Sequence, residues 1–128
     1  LIYCGASAPH KFKEKKIMSS SLTTVKQTIP LTADGLAQKF VGTSATNITK
    51  ARIMSVFAQA SDADAEIKIY DEASDAKTAS KLVFHGKFST AANHVHNFDI
   101  AGQGIKCDAG MYVDLTNCDF CTIIGAFT

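Results

Sequence analysis

The sequence predicts an all-β domain, an antiparallel β-sandwich of jelly-roll-like arrangement with about eight short strands. Three observations carry this. Short runs in which apolar and polar residues alternate are separated by turn-forming residues, at a spacing close to the roughly 8 to 12 residues usual in sandwiches and barrels. No helix-period repeat of useful length interrupts them. The two longest apolar runs, residues 52–59 and 120–127, are rich in β-branched and aromatic side chains and have strand rather than helix length. A closed barrel with a ligand cavity is the alternative architecture.

Residues 1–17 have no period and end in the lysine-rich KFKEKK, so they are expected to form a basic leader outside the fold, with one sandwich domain over residues 18–128. Purine-rich codons, as in a ribosome-binding site, would encode Lys13-Glu14-Lys15-Lys16-Ile17, and the working protein is therefore expected to begin at Met18. The alternative is a basic arm that docks on an acidic partner or on packaged nucleic acid.

A first strand is expected over residues 22–31, with Val25, Ile29 and Leu31 inward and Lys26 and Thr28 outward. Pro30 near its end lacks a ladder donor and marks an edge or a terminus. Thr32-Ala33-Asp34-Gly35 suits a tight turn, and residues 36–41 would return as the second strand of a first hairpin. The threonine-rich residues 42–50 read as a loop. Residues 51–71, ARIMSVFAQASDADAEIKIYD, then read as a strand buried on both faces, a polar reversal, and a half-exposed strand, which together would make a central hairpin.

Residues 72–81 have no apolar stripe and read as an exposed loop. In the next strand Leu82, Phe84, Gly86 and Phe88 share one side, opposite Val83, His85 and Lys87. The strand at residues 94–100 places Val95 and Phe98 an odd number apart, so both cannot face inward without a bulge. Met111, Val113 and Leu115 alternate with Tyr112 and Asp114. Residues 120–127 close the chain as a buried strand, or as a strand covered by another subunit, since an outer strand would normally alternate or carry guarding charges.

A hydrophobic content of 46% with 20% charged residues excludes a disordered chain and predicts a packed core. The net charge of +1 hides an asymmetry: the leader holds four lysines against Glu14, while the remainder has nine basic and eleven acidic side chains. A slightly acidic body whose one arginine is Arg52 is poorly equipped to neutralise a row of phosphates, so nucleic acid is disfavoured as a partner. No apolar run reaches the length of a membrane span, and no secretory signal is visible.

No constellation is complete enough to predict a catalytic, cofactor-binding or metal-binding residue, and the chain is expected not to be an enzyme. Cys118-Asp119-Phe120-Cys121 has C-x-x-C spacing, and with Cys107, His94 and His96 it contains the donors of a tetrahedral zinc site. A second C-x-x-C is missing, however, and on a regular strand Cys118 and Cys121 face opposite ways, so reduced, partly buried thiols are expected. Asp62-x-Asp64-x-Glu66 opens like a calcium loop, but Ile67 and Ala73 stand where glycine and glutamate are required. Asn47-Ile48-Thr49 is a sequon without a secretory context. Neither G-x-S-x-G nor a glycine-rich phosphate loop occurs.

The order of the parts carries a resemblance. A threonine-rich first strand (SLTTVKQTIPLTADG), the strand-turn-strand of residues 51–71, and the ending GIKCDAGMYVDLTN followed by a final strand are together similar to small virion proteins of tailed bacteriophages, the head-decoration or appendage modules, particularly those of marine phages. The resemblance carries over no functional residue. It implies a non-enzymatic structural protein of the virion, assembled in the host cytoplasm, that acts through contacts with other virion proteins and as a homo-oligomer built through sheet edges or the C-terminal strand. The competing class is a small ligand- or carbohydrate-binding sandwich. That would need exposed aromatics for sugar stacking, whereas the chain has no tryptophan and only Tyr3, Tyr70 and Tyr112 as phenols.

Overall fold

The computed structural model describes residues 25–88 and 91–128. The leader expected at residues 1–17 and the opening of the first strand lie outside the described residues. Among the described residues eleven strands follow in order: β1 (Val25–Gln27), β2 (Gly35–Leu36), β3 (Gln38–Val41), β4 (Ser44–Asn47), β5 (Ala51–Ala60), β6 (Ala65–Tyr70), β7 (Leu82–Phe88), β8 (Val95–Asp99), β9 (Ile105–Cys107), β10 (Tyr112–Thr116) and β11 (Cys118–Phe127). A 3-10 turn, Ala79–Lys81, leads into β7. Among the described residues no helix is long and apolar enough to cross a membrane.

Every strand pairing is antiparallel. The first sheet runs β1-β11-β5-β8, with β9 also on β5; the second runs β2-β10-β6-β7; among the described residues β3 and β4 pair only with each other. Along the chain the strands fall in the first sheet at β1, the second at β2, the first at β5, the second at β6 and β7, the first at β8 and β9, the second at β10 and the first at β11. This alternation is the jelly-roll topology of two four-stranded sheets. The strand count exceeds eight for two reasons. β8 pairs with Ser55 to Gln59 and β9 with Ala51 to Ile53, so they occupy one sheet position end to end, and β3–β4 is a hairpin inserted before β5.

The jelly roll corrects both expected hairpins. β5 and β6 do not pair: β5 is held between β11 and β8/β9, β6 between β10 and β7, and residues 61–64 arch from one sheet to the other. An arch and a hairpin share the pattern of apolar run, polar turn and apolar run. What separates them is which strands from distant sequence fill the edges. Nor is β5 buried on both faces, because Met54 is exposed and Arg52, Phe57 and Gln59 are half-buried. Residues 36–41 also split, with β2 pairing β10 and β3 pairing β4 around a two-residue turn in which Gly42 takes a φ of 64°.

The first strand is offset from its expected faces. Val25 is exposed and Thr28 is buried, while Leu31 is inward as expected. Thr28 donates its N–H to the Ile123 carbonyl at 2.9 Å, and Leu31 next donates to Cys121 at 2.8 Å. The ladder skips Pro30, which has no N–H to give, and the side-chain alternation changes phase there. In β8, Val95 points outward and Phe98 packs against the core, with no bulge inside the strand.

Between the sheets, Ile53, Val56, Ala58 and Ile123 meet Ile67, Ile69, Met111 and Val113, all fully buried. At about 25 cal/mol per Å² of apolar surface removed from water, this layer is the main source of stability. Two glycines allow close approaches. A Cβ on Gly125, opposite a bulge in β5 at Met54, would collide with the Arg52 carbonyl, and one on Gly86 would stand 2.8 Å from the Phe98 ring.

Candidate functional site

The bulge in β11 between Cys118 and Phe120 decides where the thiols point. It places Cys118 opposite Ala60 and Cys121 opposite Ala58, so both side chains turn inward, not to opposite faces as on a regular strand. Cys118 is half-buried and its Sγ lies 3.4 Å from the Thr116 carbonyl and 3.7 Å from that of Glu66. Burial raises its thiol pKa above the ordinary range. Burial, reinforced by the neighbouring Cys118, pushes the Cys121 thiol up to about 12. Cys107 is likewise pushed up to about 12, by burial first and then by Asp71 and Asp108. Because the thiolate is the nucleophile and the metal ligand, these protonated groups are chemically quiet, and all three are free thiols.

Cys107 sits opposite Ala51, at the other end of β5 from Cys118, about 30 Å away at strand rise. His94 and His96 join neither. Their rings stack at 6.3 Å and continue into Phe98 at 4.4 Å and Phe88 at 5.8 Å from His96, an aromatic row that closes the gap between the edge strands β7 and β8. Among the described residues no three metal-ligating side chains converge on one point.

The acidic triplet is also dispersed. Asp62 accepts the N–H of Ala63 at 2.7 Å within the β5–β6 arch, and Asp64 takes a φ of 58° there. Glu66 lies instead on the outer face of the second sheet. It accepts from His85 Nε2 at 2.7 Å and has Lys87 at 3.7 Å and Lys68 at 3.9 Å. The bond from His85, aided by the two lysines and opposed by partial burial, holds its carboxyl below the usual 4.5. Beside it Lys77 bridges Asp34 at 3.5 Å and Asp114 at 3.8 Å over the Tyr112 ring.

The surfaces suited to contact lie elsewhere. On the outer face of the first sheet, Phe57 and Phe120 pair at 5.9 Å beside Thr122 and Ile124, an uncharged centre flanked by exposed Val95. The β3–β4 hairpin stands off both sheets. Phe40 and Val41, just before its turn, are 63% and 57% exposed. A lone two-stranded hairpin is marginal in water, and this one is tied down at its base. Ile29 donates to the Gln38 carbonyl, Ala37 to Met111 and Ile48 to Ala37, while the Gln38 side-chain amide donates to that of Asn47 at 2.9 Å.

Sequence reasoning missed this hairpin by reading residues 42–50 as a loop. The signal available was Phe40-Val41 followed directly by Gly42-Thr43, two large apolar residues against a glycine turn. No match is found to the chain among family models, curated proteins or solved structures.

Proposed function

We propose that the protein is a non-enzymatic structural component of a phage particle that works through contacts with other subunits or with the capsid shell. The observation that carries this reading is the β3–β4 hairpin, which leaves Phe40 and Val41 in water on an element that adds little to the core. Such exposure is costly for a free domain and useful for one that seats the hairpin in a neighbour. The uncharged centre of the first sheet's outer face, around Phe57, Phe120 and Ile124, gives a second area that can be covered at low desolvation cost. Quiet, unpaired thiols suit assembly in a reducing host cytoplasm. The jelly roll itself recurs in capsid proteins as well as in lectins and cupins, so it supports the reading by analogy of fold alone.

For the carbohydrate-binding alternative, the two phenols among the described residues are poorly placed to stack on sugars, since Tyr70 and Tyr112 are both buried, while Tyr3 lies outside the described residues. Quantitative proteomics of purified particles tests the proposal. The chain should be present in a fixed stoichiometric ratio to the major shell protein, and its absence from the particles overturns the reading.

A further inference from the structure

At the end of the sandwich where β5 begins and β11 finishes, a cleft of about 600 Å³ opens over a floor that includes Ala51 and Phe127. Lys26, Lys50, Arg52 and Lys106 line it. They are four of the nine basic side chains in residues 25–128, a stretch that also has eleven acidic ones. One side-chain carboxylate lines the cleft, that of Asp108, 3.6 Å from Lys106. Arg52 is oriented by a backbone group, since its Nη1 donates to the Gln103 carbonyl at 3.1 Å. Nearly half of the basic side chains of residues 25–128 are therefore gathered around one cleft.

The opposite end is acidic on balance, its Lys87 being paired with Glu66 at 3.7 Å. Ten residues of β5 away, about 30 Å at strand rise, the arch of residues 61–64 exposes Asp62 and Asp64. Ser61 donates to the Asn117 carbonyl at 2.9 Å and the Asn117 side-chain amide donates to the Ala63 carbonyl at 2.8 Å, which binds this arch to the β10–β11 turn and sets exposed Asp119 beside it. Asp119 accepts from Gln59 Nε2 at 3.2 Å, and among the described residues none of the three carboxylates is in an ion pair.

Opposite charges one sandwich length apart cannot meet within a molecule. A two-fold contact through either end would set like charge against like. Head-to-tail contact sets lysine and arginine against aspartate, and such a heterologous interface propagates as a ring or a row. We infer that the basic cleft seats the Asp62, Asp64 and Asp119 end of a second copy of this chain. The inference names the partner for the subunit contacts proposed above and rests on that reading only for its biological setting, since it is tested on the purified chain without any particle.

Sedimentation velocity of the full chain at about 0.02 M and 0.5 M salt tests it, because screening at the higher value removes most of the attraction between exposed charges. The expected result is a species larger than the 13.7 kDa monomer at low salt and the monomer at high salt. Lys50→Glu with Lys106→Glu, and separately Asp62→Lys with Asp119→Lys, should each weaken association by about tenfold or more. Mixing the two reversed proteins in equal amounts should restore it, since each reversed end then faces its opposite. The restoration also shows that both variants are folded. A chain that is monomeric at low salt overturns the inference, whether or not inorganic phosphate binds the cleft. So does a mixture that stays monomeric while both variants keep the wild-type thermal transition.

Discussion

On the second sheet the outward residues of β6, β7 and β10 are charged and already engaged: Glu66 gathers His85, Lys68 and Lys87, and Lys77 holds Asp34 and Asp114. On the first sheet the outward side of β5 and β11 has Phe57, Phe120, Thr122 and Ile124 at its centre, and the charged and polar groups lie towards the ends and margin, Arg52 at one end, Gln59 with Asp119 at the other, and Asn97, which donates to Asp99 at 3.1 Å, beside Ser55. Covering the second sheet would strip water from charges whose mutual attraction only partly offsets that loss. Covering the first removes mainly apolar and hydroxyl surface from water. One fold thus carries a solvated face and a face able to accept a partner, and the difference lies in outward side chains alone.

The inward faces should behave alike, and that is the largest effect expected. Ile123→Ala in β11 and Ile69→Ala in β6 each empty a fully buried site. Each should lower the stability of unfolding in urea by about 2–5 kcal/mol, the range for buried aliphatic truncation. A loss confined to one sheet would mean that the other is an appendage, not half of a common core, and the comparison of faces would fail with it.

A smaller effect is expected at the edge of the first sheet. Thr28 is buried, and its Oγ1 accepts the N–H of Ile123 at 3.0 Å, a place that a backbone carbonyl fills in a regular ladder. Thr28→Val keeps the shape and orphans that donor, so it should cost about 1–3 kcal/mol, while Thr28→Ser should retain most of the stability. A larger loss for Thr28→Ser than for Thr28→Val, measured by urea unfolding, would show that the methyl group and not the hydroxyl holds β1.

The fold class and its approximate strand count were legible because alternation and turn chemistry are local. The inward sets of β6, β7 and β10 follow directly from them: Ile67 and Ile69, Phe84 to Phe88, and Met111 with Val113. What the chain could not reveal is non-local. Whether residues 61–64 make a hairpin or an arch depends on β11 and β10, more than forty residues away in sequence, taking the edges of β5 and β6. Likewise the phase change at Pro30 and the inward turn of both Cys118 and Cys121 come from one skipped or added residue in a ladder, and period-two reasoning has no signal for that. The four basic residues of the cleft are spread from Lys26 to Lys106 and become neighbours only when the strands are ordered.

The smallest expected effect concerns pH and touches the second sheet alone. Glu66 is held below 4.5 first by its bond from His85, with Lys68 and Lys87 adding to it. A carboxyl whose folded value is depressed stabilises the fold fully above its unfolded value and loses that contribution as pH falls through the folded one. Glu66→Gln removes the charge and leaves three nitrogens that can carry positive charge close together. The variant should therefore be less stable than the wild type at about pH 6, and the gap should close as pH drops below 4.5 and the wild-type carboxyl protonates. Added salt should narrow the gap at the upper pH, because the pairs are near the surface. Urea unfolding across this range, with Phe120→Ala as the counterpart on the first sheet, separates the faces. The Phe120 contact is a ring pair with Phe57, so its loss should be a constant offset with pH. A pH-independent gap for Glu66→Gln would mean that the charged face contributes through packing, and the contrast between the sheets would then be one of shape, not of charge.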